Sequence, residues 1–232
     1  MDRRPASLET LNDRIINCER CERLRAYCTE LAQARRPMYS DFEYWGRPVP
    51  AFGDPRARVL ALGLAPGAHG SNRTGRMFTG DGSGDFLFPV LHEAGFASQP
   101  DAATRDDGMK LKDLWITAVA HCAPPANKPT REELTNCASW LDMEMKLLTR
   151  VRVVVCLGRI AFEGLLAHRA RMGQLTSRTS YVFNHGAEYT LPGWLRVIAS
   201  YHPSLQNTNT GKLTRKMFLQ VFLRARELAG QR

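Results

Sequence analysis

Gly63-Leu-Ala-Pro-Gly-Ala-His-Gly-Ser-Asn-Arg-Thr-Gly-Arg-Met-Phe-Thr-Gly-Asp81 follows directly on the apolar run Val59-Leu60-Ala61-Leu62. A short apolar strand that empties into a glycine-rich turn is how a parallel sheet brings its carboxyl end to a ligand. Glycine leaves backbone N–H groups bare, so the turn and the positive end of the following helix can hold an anion or the polar edge of a ring. The stretch contains neither the G-x-x-x-x-G-K-[ST] phosphate loop nor the G-x-G-x-x-G dinucleotide turn. A ligand other than a nucleotide cofactor is therefore expected.

Outward from this turn, three more apolar runs have strand character: Leu114 to Val119, Val151 to Leu157 and Leu195 to Ser200. Between them lie segments of helical character, roughly Leu8 to Ala32, Gly84 to Ala94, Arg131 to Leu148, Arg159 to Ala167 and Thr214 to Leu228. Ser98 to Gly108 and Arg171 to Ala187 are polar and aperiodic and read as surface loops. The alternation predicts an α/β fold, a three-layer α/β/α sandwich around a central four-stranded parallel sheet. With no internal repeat and no dividing linker, residues 1–232 are expected to form one domain. The loops to read for function are those after Leu62, Val119, Leu157 and Ser200, at the strand ends.

Composition bounds the partners. No apolar run approaches the ~18 residues of a membrane span. The Met1-Asp-Arg-Arg-Pro5 start lacks the apolar core of a signal peptide. A soluble cytoplasmic monomer without a membrane partner is expected. Lys plus Arg number 32 against 23 Asp plus Glu, a net charge of +9, which suits a polyanionic partner such as DNA.

Six cysteines in such a chain point to metal or redox work rather than to disulfides. Cys18 and Cys21 form one C-x-x-C pair. Cys122 lies just beyond the second apolar run, and Cys137 sits about two turns into a helix opened by the capping box Thr130-Arg-Glu-Glu133. Four such thiolates suit zinc or an iron–sulfur cluster, and the wide second spacing departs from that of a zinc ribbon. Cys28 would share a helix face with Cys21 and is the rival ligand. Cys156, inside a β-branched run, reads as a small core hydrophobe.

The loop after Ser200 runs Tyr201-His-Pro-Ser-Leu-Gln-Asn-Thr-Asn-Thr-Gly-Lys212. It offers an imidazole, His202, at a strand end. Beyond it come Ser204, Gln206 and Asn207 and one apolar residue, the types that enter a DNA minor groove.

Taken together, Cys18-x-x-Cys21, Gly63-Leu-Ala-Pro-Gly67, Gly75-Arg-Met-Phe-Thr-Gly-Asp81, Cys122-Ala-Pro-Pro-Ala-Asn-Lys128, Cys137 and His202-Pro-Ser-x-Gln-Asn207 resemble the iron–sulfur uracil-DNA glycosylases, and among them the family 5 (type B) branch. The resemblance spans about Cys18 to Arg224 and implies a monofunctional DNA repair glycosylase that flips uracil out of DNA, double- or single-stranded, and hydrolyses its N-glycosidic bond. It implies a structural 4Fe-4S cluster held by Cys18, Cys21, Cys122 and Cys137, and a cytoplasmic, nucleoid-associated place of work.

Site residues follow from the same resemblance. Gly63, Ala65, Gly67 and Ala68 would line the base pocket, with Phe78 stacking on the base and Asn127 reading its edge. His202 would donate to the anion forming on the leaving base. Asp81 would orient the attacking water or offset charge on the sugar, with His69 second for the water; an aspartate before a helix is also a natural cap. Arg73, Arg76, Lys128, Lys212 and Arg215 would meet DNA phosphates. Family 4 enzymes carry an acidic residue in the glycine turn and an asparagine on the second strand, where this chain has Leu64 and Ala118. A pocket with fewer fixed hydrogen bonds rejects analogues less, so hypoxanthine and ethenocytosine are expected substrates too. Two alternatives are a product-trapping uracil-DNA binder and a non-catalytic zinc-bearing nucleic-acid module. The former needs an inserted basic loop that Phe78-Thr-Gly-Asp-Gly-Ser83 lacks.

Overall fold

The computed structural model describes residues 6–230. The Met1 to Pro5 start, read above for a leader, lies outside them. Four parallel strands form the centre: β2 (Val59–Gly63), β3 (Leu114–Ala118), β4 (Val153–Leu157) and β6 (Leu195–Ser200), ordered β3-β2-β4-β6. Every residue of β2, β3 and β4 is buried, which is why they read as apolar runs, broken only by Thr117 in β3.

The sheet has six strands rather than four, because each edge gains an antiparallel strand. β1 (Phe52–Gly53) pairs with β3, and β5 (Glu188–Leu191) pairs with β6. Neither has an apolar signal to read. The first is two residues long between prolines, and the second alternates exposed and covered positions as an edge strand does.

The strands' two faces fill separate cores. Val59, Ala61, Val153 and Val155 pack with Leu87, Phe88 and Leu91 of α4 (Gly82–Glu93) and with Phe218, Val221 and Phe222 of α8 (Arg215–Gly230). Leu60, Leu62, Val154 and Cys156 face Leu141 of α5 (Arg131–Leu147) and Phe162, Leu165 and Leu166 of α6 (Arg159–Arg171). This is the expected three-layer order, with Cys156 fully buried in it.

The N-terminal helical segment is two helices, α1 (Leu8–Ile16) and α2 (Glu22–Ala34). Asn17 closes the first and Cys21 caps the second, so the C-x-x-C stretch forms the bend between them. On α5 the capping box is present, the Thr130 hydroxyl accepting from Glu133 N at 3.2 Å and the Glu133 carboxylate from Thr130 N at 2.7 Å. The same Glu133 carboxylate accepts 2.7 Å bonds from Arg23, which clamps α2 onto the start of α5.

Candidate active site

The glycine turn leaves β2 and folds into a one-turn helix, α3 (Ser71–Thr74), before returning to Asp81. Asp81 is the N-cap of α4: its Oδ1 accepts from Ser83 N at 3.0 Å and Gly84 N at 3.3 Å. Its other oxygen turns back onto the start of the loop. A Cβ added at Gly70 would run into Oδ2, and one at Gly67 would meet it at 2.5 Å. Glycine at these two positions is thus the space the carboxylate occupies. Burial holds the Asp81 carboxyl above the usual range, against the pull of its two backbone bonds and of Arg73. Cap and candidate base are one residue, one role on each oxygen.

Phe78 lies across the turn. Its φ of +54° is a left-handed conformation that a bulky side chain seldom adopts, and such strain collects where a side chain must be aimed. The ring is almost buried and packs on Gly63, where an added Cβ would stand 2.9 Å from Phe78 Cζ. His202 follows β6, and its ring centroid is 5.9 Å from that of Phe78 with planes 30° apart. Burial pushes its imidazole down to about 4, so the ring is neutral at physiological pH and one nitrogen carries a proton to donate. Asn207 Nδ2 donates to His202 O at 2.9 Å, bracing the backbone of that histidine. Ser204 caps the short helix α7 (Leu205–Asn209), while Leu205 and Gln206 project from it, exposed. Leu205 also rests on Gly82, where an added Cβ would meet Leu205 Cδ2 at 2.6 Å.

Of the remaining pocket residues, Ala65, Gly67 and Ala68 are half-buried in the turn. Gly63 pairs with Ala118 across β2 and β3, so the bare Ala118 stands beside the start of the turn. Asn127 and Lys128 are exposed in a tight turn after Cys122, with Asn127 at φ +56° and its N donating to Pro124 O at 3.1 Å. Lys212 is exposed, its ammonium 4.7 Å from the Tyr201 ring centroid. Arg215 is exposed and ion-paired with Glu93 at 2.8 Å.

Two expected phosphate contacts are otherwise engaged. Arg76 is 5% exposed; it donates to both Asp107 oxygens at 2.7 and 2.6 Å and to Thr79 Oγ1 at 2.9 Å. Arg73, 6% exposed, donates to His69 O at 2.9 Å and Gly80 O at 2.8 Å. Both cations hold the turn in shape. Their partners explain the correction: a carboxylate in the Ser98 to Gly108 loop and two carbonyls of the turn outcompete solvent for guanidiniums that the fold buries.

Tyr44 carried no sequence signal and proves to be part of the site's frame. It is 6% exposed, and its hydroxyl lies 3.2 Å from His69 Nδ1. Burial, with the charges of Arg36 and Arg73, lowers the His69 pKa. His69 is thus a fixed, neutral side chain between the two glycines that face Asp81.

The cysteines gather where α1, α2 and α5 meet the loop after β3. Cys18, Cys137, Trp140 and Ala120 pack together, and Cys21, Cys28 and Cys122 form an adjoining cluster with Leu24 and Ala123. Cys122 and Cys137 are each 6% exposed. Burial pushes the Cys137 thiol up to about 12, with Cys18 and Cys21 close enough to raise it further. Asn136 Nδ2 donates to Cys21 Sγ at 3.7 Å. Cys28 Sγ donates to Ala123 O at 3.6 Å, a buried thiol with a backbone partner beside Cys122. Among the described residues, no three His, Cys, Asp or Glu side chains converge on a point where one ion would sit. No helix among them is long and apolar enough to cross a membrane.

Comparison with known proteins agrees with this arrangement. The family model described as uracil DNA glycosylase superfamily matches residues 50–226, from the first edge strand into α8. A type-5 uracil-DNA glycosylase of Thermus thermophilus is 54% identical over 92% of this chain and 94% of its own length. One of Pyrobaculum aerophilum is 45% identical over 94% of this chain and 92% of its own. A type-4 uracil-DNA glycosylase of Sulfurisphaera tokodaii is 26% identical over 96% of this chain and 85% of its own. A glycine turn closed on a capping aspartate, a strained phenylalanine beside a strand-end histidine and these similarities lead to one conclusion: the chain belongs to the uracil-DNA glycosylase superfamily, with type-5 members among its relatives.

Proposed function

We propose that this chain excises uracil from DNA in base excision repair, breaking the N-glycosidic bond with water and leaving an abasic site. The observation that carries the reading is Asp81, a half-buried carboxylate with one oxygen spent on a helix cap and the other turned onto Gly67 and Gly70. The target nucleotide is flipped out of the duplex at a cost of a few kcal/mol, and its base stacks on Phe78 against the bare turn from Gly63 to Ala68. As the bond from the sugar C1′ to the base breaks, its electron pair leaves with the base and charge builds on a carbonyl oxygen. Neutral His202 donates a hydrogen bond there, which helps most in the transition state. Asp81 Oδ2 accepts from the attacking water and offsets the positive sugar, and Asn127 reads the base edge. Water rather than a lysine is the nucleophile, so no Schiff base forms and the strand is not cut. Leu64 and Ala118 leave two base-reading positions without polar groups, and this supports release of hypoxanthine and ethenocytosine as well.

We further infer that Cys18, Cys21, Cys122 and Cys137 hold a 4Fe-4S cluster, which when bound pins helices together and takes no part in the chemistry. The donor set fits. A lone zinc draws four thiolates to ~2.3 Å from one point, whereas a cluster spreads them over several irons. Cys122 and Cys137 are buried beside Cys21 and Cys18 where α1, α2 and α5 meet, and their wide spacing in sequence departs from a zinc ribbon's, which supports the second.

The test is base release by the purified protein from matched oligonucleotides, single- and double-stranded, carrying uracil, hypoxanthine, ethenocytosine or thymine, followed by alkaline cleavage at the abasic site. Uracil release with thymine spared is expected. Retention of uracil by brown, cluster-loaded protein would overturn the catalytic reading in favour of a DNA-binding one.

A further inference from the structure

The segment between α2 and β1 carries aromatic and basic residues that the pocket chemistry leaves unused. It is stitched to the glycine turn: Trp45 N donates to Arg73 O at 2.9 Å and Gly46 N to Asn72 O at 3.0 Å. The Trp45 indole lies on Gly75, where an added Cβ would meet the ring at 2.8 Å. Two guanidiniums stand against the same indole, Arg105 at 4.7 Å and Arg47 at 5.9 Å from its centroid. Both arginines are exposed, and among the described residues neither forms an ion pair with a carboxylate. The loop bearing Arg105 is itself held, since Arg105 O accepts from Arg76 Nη1 at 3.3 Å. Beside them runs an open groove of about 530 Å³. Glu43 and Asp106 also line it, yet neither pairs with the two cations.

Exposed arginines usually wander. These two are propped on an aromatic face, which restricts them and leaves their N–H forks to an outside acceptor. The indole is half-buried on Gly75 and two guanidiniums stand against it, so what this face of the groove offers an outside group is positive charge, and the group it suits is an anion. The groove adjoins the turn that holds Asp81, because Arg73 and Thr74 of α3 line it. We propose that Arg47 and Arg105, propped on Trp45, form a phosphate clamp for the backbone of the lesion-bearing DNA, beside the base pocket. The clamp rests on the reading of DNA as substrate and takes over from Arg73 and Arg76, which the fold keeps for itself.

The experiment is the affinity of the full, cluster-loaded protein for an undamaged, fluorescently labelled duplex, measured by anisotropy across a series of salt concentrations. Each neutralised phosphate contributes about 0.9 to the slope of log affinity against log salt. The Arg47→Ala/Arg105→Ala variant is expected to flatten the slope by about 1.8 and to bind more weakly at low salt. Arg47→Lys/Arg105→Lys is expected to restore most of the slope, and Lys146→Ala, at the far end of α5, to keep the wild-type slope. The clamp is overturned by an unchanged slope in the alanine pair, by equal flattening in Lys146→Ala, or by no recovery in the lysine pair, which would point to lost structure. Undamaged DNA keeps the two readings apart: a protein that never releases uracil can still show the clamp, and an active enzyme can lack it.

Discussion

Asp81 carries two duties that pull in opposite directions. Burial raises its carboxyl above the usual 3.8, so the folded state binds that proton more tightly than the unfolded chain does. The stability this confers is fully present at low pH and is lost as pH rises through the raised value. At neutral pH the charge is therefore a cost to the fold and, on the proposed mechanism, a requirement of the chemistry. Asp81→Asn keeps a good helix cap and removes the charge. It is expected to melt at or above wild type at pH 7, with that advantage gone in acid, while base release falls about 10²- to 10⁴-fold. A variant that melts well below wild type at pH 7 would reduce Asp81 to a cap.

His202 behaves in the opposite sense. With its pKa lowered from 6.5 to about 4, its stabilising effect is present above 6.5 and is lost as pH falls through the folded value. On the proposed mechanism the His202 donor stays neutral at neutral pH, and an acid limb in the rate profile is expected to come from the raised Asp81 carboxyl. His202→Ala is expected to lower single-turnover base release about 10²- to 10³-fold without moving that limb. A limb that vanishes with His202 would assign the titration to the imidazole instead.

At the scale of elements, the glycine turn and α4 form one unit because Asp81 reaches from the helix back into the loop. The three nearest atoms to a Cβ added at Gly70 all belong to the Asp81 side chain, Oδ2, Cγ and Cβ. Gly70→Ala should therefore cost stability in the wild type and much less where Asp81 is already glycine. A double-mutant cycle of Gly70→Ala and Asp81→Gly, read by denaturant melts, is expected to give a coupling of about 1–3 kcal/mol. Additive effects would mean that the turn relaxes around the new methyl. The N-terminal helices form a second unit, clamped by Arg23 on Glu133 and bent at Cys18 to Cys21.

At the scale of the molecule, the N-terminal helices join the loop after β3 and α5 where the cysteines gather. α1 and α2 touch the rest of the fold through small clusters around Leu11, Ile15, Leu24 and Cys28, while the sheet has extensive cores on both faces. If the proposed 4Fe-4S cluster ties these helices down, stripping it with an oxidant and a chelator is expected to loosen residues 8–34 and the start of α5 first. Amide hydrogen exchange should rise there while β2, β4 and β6 stay protected. Uniform loss of protection would mean that the whole sheet depends on the cluster. The net charge of +9 adds a diffuse attraction to DNA, and the fold decides which cations are left to exert it.

By itself the sequence determined the parallel centre of the sheet, because β2, β3 and β4 are buried throughout and β6 at every position but Arg196, so all four are mainly apolar runs. It determined the α5 boundary through Thr130 and Glu133, since a capping box is a local contract between residues three apart. It also placed the glycine turn, Asp81, Phe78 and His202 at strand ends, where a parallel sheet holds its ligands. Only the tertiary structure decided the edge strands β1 and β5, whose pairing comes from neighbours and not from their own residues. Only it decided which arginines are spent: Arg76 meets Asp107 across 31 positions of chain, and Tyr44 meets His69 across 25. Exposed Arg47 and Arg105 look no different in sequence from buried Arg73 and Arg76. Solvent exposure of a charge depends on which partners the fold brings within hydrogen-bond reach, and no local pattern records that.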